Sequence, residues 1–97
     1  VSRGVLSPQA RRDLAEIWDY IAKHSEAEAD EMIDELNAKF RLLRRFPYLG
    51  RRRDDLRAGY RSVVERGYVV LYRIVRRSIQ IMRVIHGKRD IPTLLRQ

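Results

Sequence analysis

Arg83, His86, Lys88 and Arg89 fall within eight residues, "RVIHGKRD", at the end of an apolar run. A histidine among cations is a set that can move a proton beside a phosphate. RNA cleavage by a 2'-hydroxyl needs a base for that hydroxyl, cations for the charged phosphate and an acid for the leaving oxygen. An unperturbed histidine titrates near about 6.5, so His86 suits the base, and Arg61 and Arg83 suit the cations. The same residues also have plain structural uses. His86 beside Gly87 can end a strand on a backbone hydrogen bond, and Arg61 and Arg83 can pair with Asp54, Asp55 or Asp90. Arg57 and Gly59 can shape a loop, and Tyr60, Tyr68 and Tyr72 fit a core with hydroxyls at its rim. Taken alone, these residues leave open both a catalytic strand end and a charged recognition surface.

Composition narrows the classes. A chain of 97 residues has room for one domain, 1–97, with a modest core. It contains no cysteine and only two histidines, His24 and His86, which argues against disulfides, thiolate chemistry or a metal centre. No apolar run approaches the roughly 18 residues of a membrane span, and the first residues lack a signal-peptide pattern, so a cytoplasmic protein with no membrane partner is expected. The charge is lopsided: residues 1–50 carry 8 Lys/Arg against 9 Asp/Glu, and residues 51–97 carry 13 against 4. A basic half favours an acidic partner, either a phosphate backbone or an acidic protein segment.

The elements that must position these groups can be read from period and punctuation. Arg3 to Leu6 reads as a short strand. Ser7-Pro8 then caps and opens a helix, with Ala10, Leu14, Ile17, Trp18 and Ile21 on the buried stripe and Arg11, Arg12, Asp13, Glu16, Asp19 and Lys23 opposite. "SEAE" at 25–28 fits a capping box that starts a second helix, whose stripe is Ala29, Met32, Ile33, Leu36, Phe40 and Leu43. Pro47 ends it. Its acidic residues, Glu26 to Glu35, precede its basic ones, Lys39 to Arg45, an order that the helix dipole and solvation explain without a metal or acid–base role.

Residues 47–59 read as a loop. Three β-rich runs follow, Tyr60 to Val64, Tyr68 to Val75 and Ile79 to Ile85, joined by turns short enough for an antiparallel meander. The fold class is thus α+β, a helical hairpin packed on a mainly antiparallel sheet in the order β-α-α-β-β-β, with room for a short C-terminal helix. Both faces of Tyr68 to Val75 are largely apolar, and two helices cover only one. The surplus calls for a bound partner or homodimer, or else for bulges and the segment "IPTLLRQ" to fold across it.

In order and spacing the chain resembles the ParE branch of the RelE/ParE toxins of bacterial type II toxin-antitoxin systems. The likeness is carried by "LSPQARRDLAEIWDYIA", by "FPYLGRRRDDLRAGYRSVV" with its Pro-x-x-Gly-Arg loop and Arg-x-Gly-Tyr-Arg strand, and by "YVVLYRI" and "IMRVIHGKRD". The resemblance implies a toxin without a cofactor, neutralised by a cognate antitoxin whose C-terminal part wraps around it, with higher-order toxin-antitoxin complexes open to it. ParE-like members are associated with poisoning DNA gyrase, RelE-like members with ribosome-dependent mRNA cleavage. RelE-type toxins commonly carry a C-terminal tyrosine near this strand end, whereas here none follows Tyr72. The expectation is therefore a gyrase inhibitor that acts by binding, with Arg57, Tyr60, Arg61, Tyr72, Arg83, His86 and Arg89 as contact candidates for target or antitoxin. The alternative is an endonuclease using Arg61, Arg83 and His86. A third reading, a basic nucleic-acid-binding domain, requires salt-sensitive binding to naked RNA or DNA, and direct nucleic-acid contact is not expected to be primary.

Overall fold

The computed structural model describes residues 5–96. Ser7 opens the structure as the cap of helix α1, Pro8–Ala22: its hydroxyl oxygen accepts from the Ala10 amide at 3.0 Å and donates to the Met82 carbonyl at 2.9 Å. One side chain therefore both starts a helix and fixes it to a strand. Ser25 caps helix α2, Glu26–Arg45, by accepting from the Glu28 amide, but its own N–H donates to Ile21 O at the end of α1. The expected capping box is thus used in one direction only, because the preceding helix supplies the other partner. The hairpin closes further through Trp18 Nε1–H, which donates to Asp30 Oδ1 at 2.8 Å. At the far end Phe46 leaves the helix with φ −128° and ψ 76°, as a residue before proline must.

Four antiparallel strands follow in simple order: β1 Arg51–Arg52, β2 Tyr60–Glu65, β3 Tyr68–Val75 and β4 Ser78–His86. β1 lies inside the stretch expected to be loop throughout. Two arginines carry no strand pattern, and they are extended only because Arg51 and Arg52 register with Ser62 and Arg61. The turn between β2 and β3 is Arg66-Gly67, both at positive φ, +48° and +87°, the twist a two-residue hairpin demands. Of the expected first strand, Arg3 and Gly4 lie outside the described residues. Val5 and Leu6 form only a parallel bridge to β4, in which Ile81 N–H donates to Val5 O and Ser7 N–H to Ile81 O.

The core has two layers. Under the helices lie Ala10, Ile17, Leu36, Phe40, Val70 and Ile81, while Tyr60, Leu71, Ile85, Ile91 and Leu95 pack on the opposite face of the sheet. The second layer exists because of two devices. The pairing of β3 with β4 slips between Leu71 and Tyr72, so β4 sends Ile79, Ile81 and then Val84 to the helices, while Met82 and Ile85 join the other layer. A bulge of this kind breaks strict alternation. A short helix α3, Ile91–Leu95, then folds across that face, its last carbonyl accepting from Arg57 Nη2 at 2.7 Å. Of the covers considered for the surplus apolar surface, the structure contains the bulge and the C-terminal segment.

The connection from α2 to β1 is stapled by Tyr72, which is fully buried. Its hydroxyl donates to Pro47 O at 2.7 Å and accepts from Gly50 N–H at 2.8 Å. Burial pushes the phenol above the ordinary tyrosine range, so it keeps the proton it donates. A Cβ on Gly50 would lie 2.7 Å from the Tyr72 ring and 2.8 Å from Ser62 O, closer than atoms pack. Tyr72→Phe is expected to cost about 1–3 kcal/mol by stranding a buried donor and acceptor, and Gly50→Ala about 1–3 kcal/mol by overpacking. Urea unfolding of the two variants measures both losses.

Candidate functional site

Asp13 was expected on the polar face of α1, yet it is only 6% exposed. Its carboxylate accepts from Arg83 Nε at 2.9 Å and Nη2 at 3.1 Å, from the Val84 amide at 2.9 Å and from Gln9 Nε2 at 3.2 Å. This two-pronged ion pair forms the inner wall of a cleft of about 640 Å³ between α1, the ends of β3 and β4, and α3. From one face of α1, Glu16, Ile17 and Tyr20 line it, their spacing placing them side by side. Tyr68 comes from β3 and Leu94 from α3, while Lys88 and Arg89 come from the segment that joins β4 to α3.

His86 stands at the mouth. Its Nδ1 accepts from the Lys88 amide at 3.2 Å, which leaves Nε2 to carry the proton of the neutral ring. The ring meets Tyr68 edge-on, with centroids 5.3 Å apart and planes at 84°. Gly87 N–H donates to Gly67 O at 2.8 Å, so the β2–β3 turn and the end of β4 close against each other beside it. Lys88 and Arg89 make no ion pair among the described residues. The cleft therefore offers an aromatic and aliphatic floor, a carboxylate from Glu16 on one side and unneutralised cations on the other.

Of the seven contact candidates for target or antitoxin, the fold brings Arg83, His86 and Arg89 to this cleft and places the others elsewhere. Arg61 Nη1 donates to Gly50 O at 2.7 Å, and its guanidinium lies 5.0 Å from the Tyr48 ring. It registers with Tyr72, whereas His86 registers with Tyr68. Four residues of strand separate those positions by about 13 Å. Arg57 clamps α3 and lies over Tyr60, which is buried in the second core layer, and Tyr72 is spent on its loop. The carboxylates expected for Arg61 and Arg83 are occupied: Asp54 by Arg52, Asp55 by Arg53, and Asp90 as the cap of α3. Arg83 is instead neutralised by Asp13 and holds the cleft wall in place. Sequence reasoning missed Glu16 and Tyr20 as wall residues, although their helical spacing from Asp13 was visible. Among the described residues no three His, Asp or Glu side chains converge as metal ligands, and no helix is long and apolar enough to cross a membrane.

Comparison with known proteins places this geometry. Residues 5–91 match the family described as ParE toxin of type II toxin-antitoxin system, parDE. The chain is 37% identical to Toxin ParE1 of Caulobacter vibrioides over 82 residues, covering 84% of each chain. It is 32% identical to Toxin ParE1 of Mycobacterium tuberculosis over 92 residues, covering 93% of this chain and 94% of that one. Among solved structures it is similar to a chain of the chromosomal ParDE TA system from P. aeruginosa, with TM-score 0.73, 22% identity and coverage of 86% and 92%. That likeness carries the helical hairpin on its antiparallel sheet.

Two measurements probe the site's frame. Asp13→Ala leaves the half-buried Arg83 guanidinium without its counter-charge and the Val84 amide without its acceptor, and is expected to cost about 1–3 kcal/mol. Adding Arg83→Met should give a double variant whose loss is smaller than the two single losses added, read from urea unfolding as a coupling energy. The second concerns α3. The Thr93 hydroxyl, and then the Thr93 amide, hold the exposed Asp90 carboxyl below the usual aspartate range. Its folded value is lower than its unfolded one, so the cap's contribution is full above about pH 3.9 and is lost as pH falls through the depressed value. The protection factors of the Thr93 and Leu94 amides, taken relative to the unfolded chain at each pH, should fall over that acidic window, and Asp90→Ala should remove that fall.

Proposed function

This chain belongs to the ParE toxin family of type II toxin-antitoxin systems, and we propose that it acts by binding DNA gyrase, with no chemistry of its own. In this reading it traps gyrase on broken DNA and is held inactive by a cognate antitoxin whose C-terminal part wraps around it. The whole of residues 1–97 then serves as one toxin domain in the cytoplasm. His86 and Arg89, with Lys88, supply the contact surface at the cleft, and Arg83 positions that surface through Asp13.

The observation that carries this reading is the fate of the two arginines. The endonuclease reading needs Arg61 and Arg83 free and close to His86. Arg83 is neutralised by a buried carboxylate, and Arg61 is bound to Gly50 O on the far part of the sheet. A surface of unpaired cations over an apolar floor suits recognition of an acidic partner, where charge steers encounter and burial supplies affinity.

The decisive experiment adds toxin freed from antitoxin to gyrase supercoiling, with detection of cleaved DNA, and in parallel to translation in vitro with mapping of mRNA ends. The expected result is loss of supercoiling with accumulated cleaved DNA and intact mRNA, and inhibition weakened about tenfold by Lys88→Glu/Arg89→Glu. Ribosome-dependent mRNA cleavage with gyrase untouched would overturn the proposal in favour of the endonuclease reading.

A further inference from the structure

The cleft beside His86 has the dimensions of a small-molecule site. Its volume of about 640 Å³ falls inside the range of about 300–1,000 Å³ that ligand pockets occupy, and an apolar lining with a few convergent polar groups is what such pockets share. The floor is aromatic. Tyr68 meets the His86 ring edge-on, with centroids 5.3 Å apart, and packs on the core under the helices. Burial, and then the neighbouring Tyr20 phenol, push Tyr68 above the ordinary tyrosine range, so it keeps its proton and stays neutral. Tyr20 itself is 65% exposed, an aromatic surface left open at the rim.

Polar groups of opposite kind flank that floor. In the segment that joins β4 to α3, the amides of Gly87, Lys88 and Arg89 are already spent on Gly67 O, His86 Nδ1 and His86 O. An anion there is therefore held by side chains: the Lys88 ammonium, the Arg89 guanidinium and the Nε2–H of His86, a set that suits a phosphate group. On α1, Glu16 has no ion-pair partner among the described residues. Its carboxylate brings two acceptor oxygens and no donor. A ligand that satisfies both sides carries a phosphate at one end, a flat ring for the tyrosines, and adjacent N–H donors on the far edge of that ring.

We propose that the cleft binds a free guanine nucleotide, its base against Tyr20 and Tyr68, its N1–H and N2–H donated to Glu16, and its phosphates held by His86, Lys88 and Arg89. Aromatic side chains accept any base as a stacking partner, so the choice of base falls to Glu16. Guanine alone among the common bases presents two adjacent N–H donors on its pairing edge. Adenine and cytosine set a ring-nitrogen lone pair beside their amino group, and uracil and thymine flank one N–H with carbonyls, so each turns an acceptor toward the carboxylate. A nucleic-acid strand fits less well, because it carries phosphates on both sides of each base whereas the cations here gather on one side of the cleft. On the gyrase reading a bound nucleotide would cover part of the contact surface; the binding itself does not rest on that reading.

The test adds GDP to the isotope-labelled full chain, maps amide resonances and measures affinity by calorimetry. Comparators are ADP, CDP, guanosine, inorganic phosphate and an oligothymidine carrying one guanine. GDP should shift resonances of residues 16–20, 68 and 86–89, and should bind about tenfold more tightly than ADP, CDP or guanosine. Glu16→Gln should weaken GDP about tenfold and leave ADP as it was. Lys88→Glu/Arg89→Glu should weaken GDP and ADP alike, and Arg76→Glu/Arg77→Glu on the β3–β4 turn should change neither. Equal binding of ADP, equal binding of guanosine, the same shifts from inorganic phosphate, tighter binding of the oligonucleotide through these residues, shifts confined to other parts of the chain, or absence of GDP binding would each overturn the proposal. The ligand comparisons use the unsubstituted chain, so a variant that fails to fold leaves the test intact. No gyrase is present, so failure of the gyrase reading and failure of this one are told apart.

Discussion

A single buried carboxylate holds the helical layer to the sheet. β4 is the outermost full strand, and its open edge presents N–H and C=O groups that a folded protein must satisfy. Asp13 takes the Val84 amide and the Arg83 guanidinium together, Ser7 takes the Met82 carbonyl, and the Val5–Ser7 segment takes both backbone groups of Ile81. Residues 81–84 of that edge are thereby tied to the start of α1. The arrangement also explains why no buried side-chain polar atom among the described residues lacks a partner. A charge placed in a core is tolerated when its hydrogen-bonding capacity is filled, and Asp13 fills it from three directions.

The opposed charges of the two halves meet along a second seam. The acidic start of α2 lies against the β2–β3 hairpin, where Arg66 Nη1 reaches Glu35 at 2.7 Å, and farther along Lys39 reaches Glu65 at 3.4 Å. These exposed pairs contribute little stability individually. Their effect is to use acidic charge of α2 on the hairpin arginine, while Lys88 and Arg89 at the cleft keep no carboxylate partner among the described residues.

How much of this was legible in the sequence depends on the range of the interaction responsible. Ser7-Pro8, Ser25 and Pro47 act within a few residues, and they set the helix bounds as expected. The hairpin turns and the three long strands followed from β-rich runs in the same way. Asp13 was misplaced because its partners lie 70 and 71 positions away, and period alone assigns a carboxylate to water. β1 was missed because two arginines become a strand only through β2. The slip near Leu71 hid which β4 residues face the helices, although the surplus apolar surface had already called for the segment that forms α3. For the candidate site, "RVIHGKRD" did mark the cleft. The opposite wall was readable only as a helix, with Glu16 on its polar face and nothing in the local pattern to show that Glu16 and Tyr20 line a cleft.

The hydroxyl of Ser7 has a kinetic consequence. Its bond to Met82 joins residues 75 positions apart, so the capped start of α1 and the slipped stretch of β4 complete each other only after most of the chain has been gathered. The helical hairpin can assemble early from neighbouring residues, whereas the joint that locks it down must wait for a long loop to close, at an entropic cost paid before the contact rewards it. Folding should therefore be slower than that of a helical bundle of equal length. Loosening of either end of that joint should be felt at the other, which makes α1 and β4 one cooperative unit despite their separation in the chain.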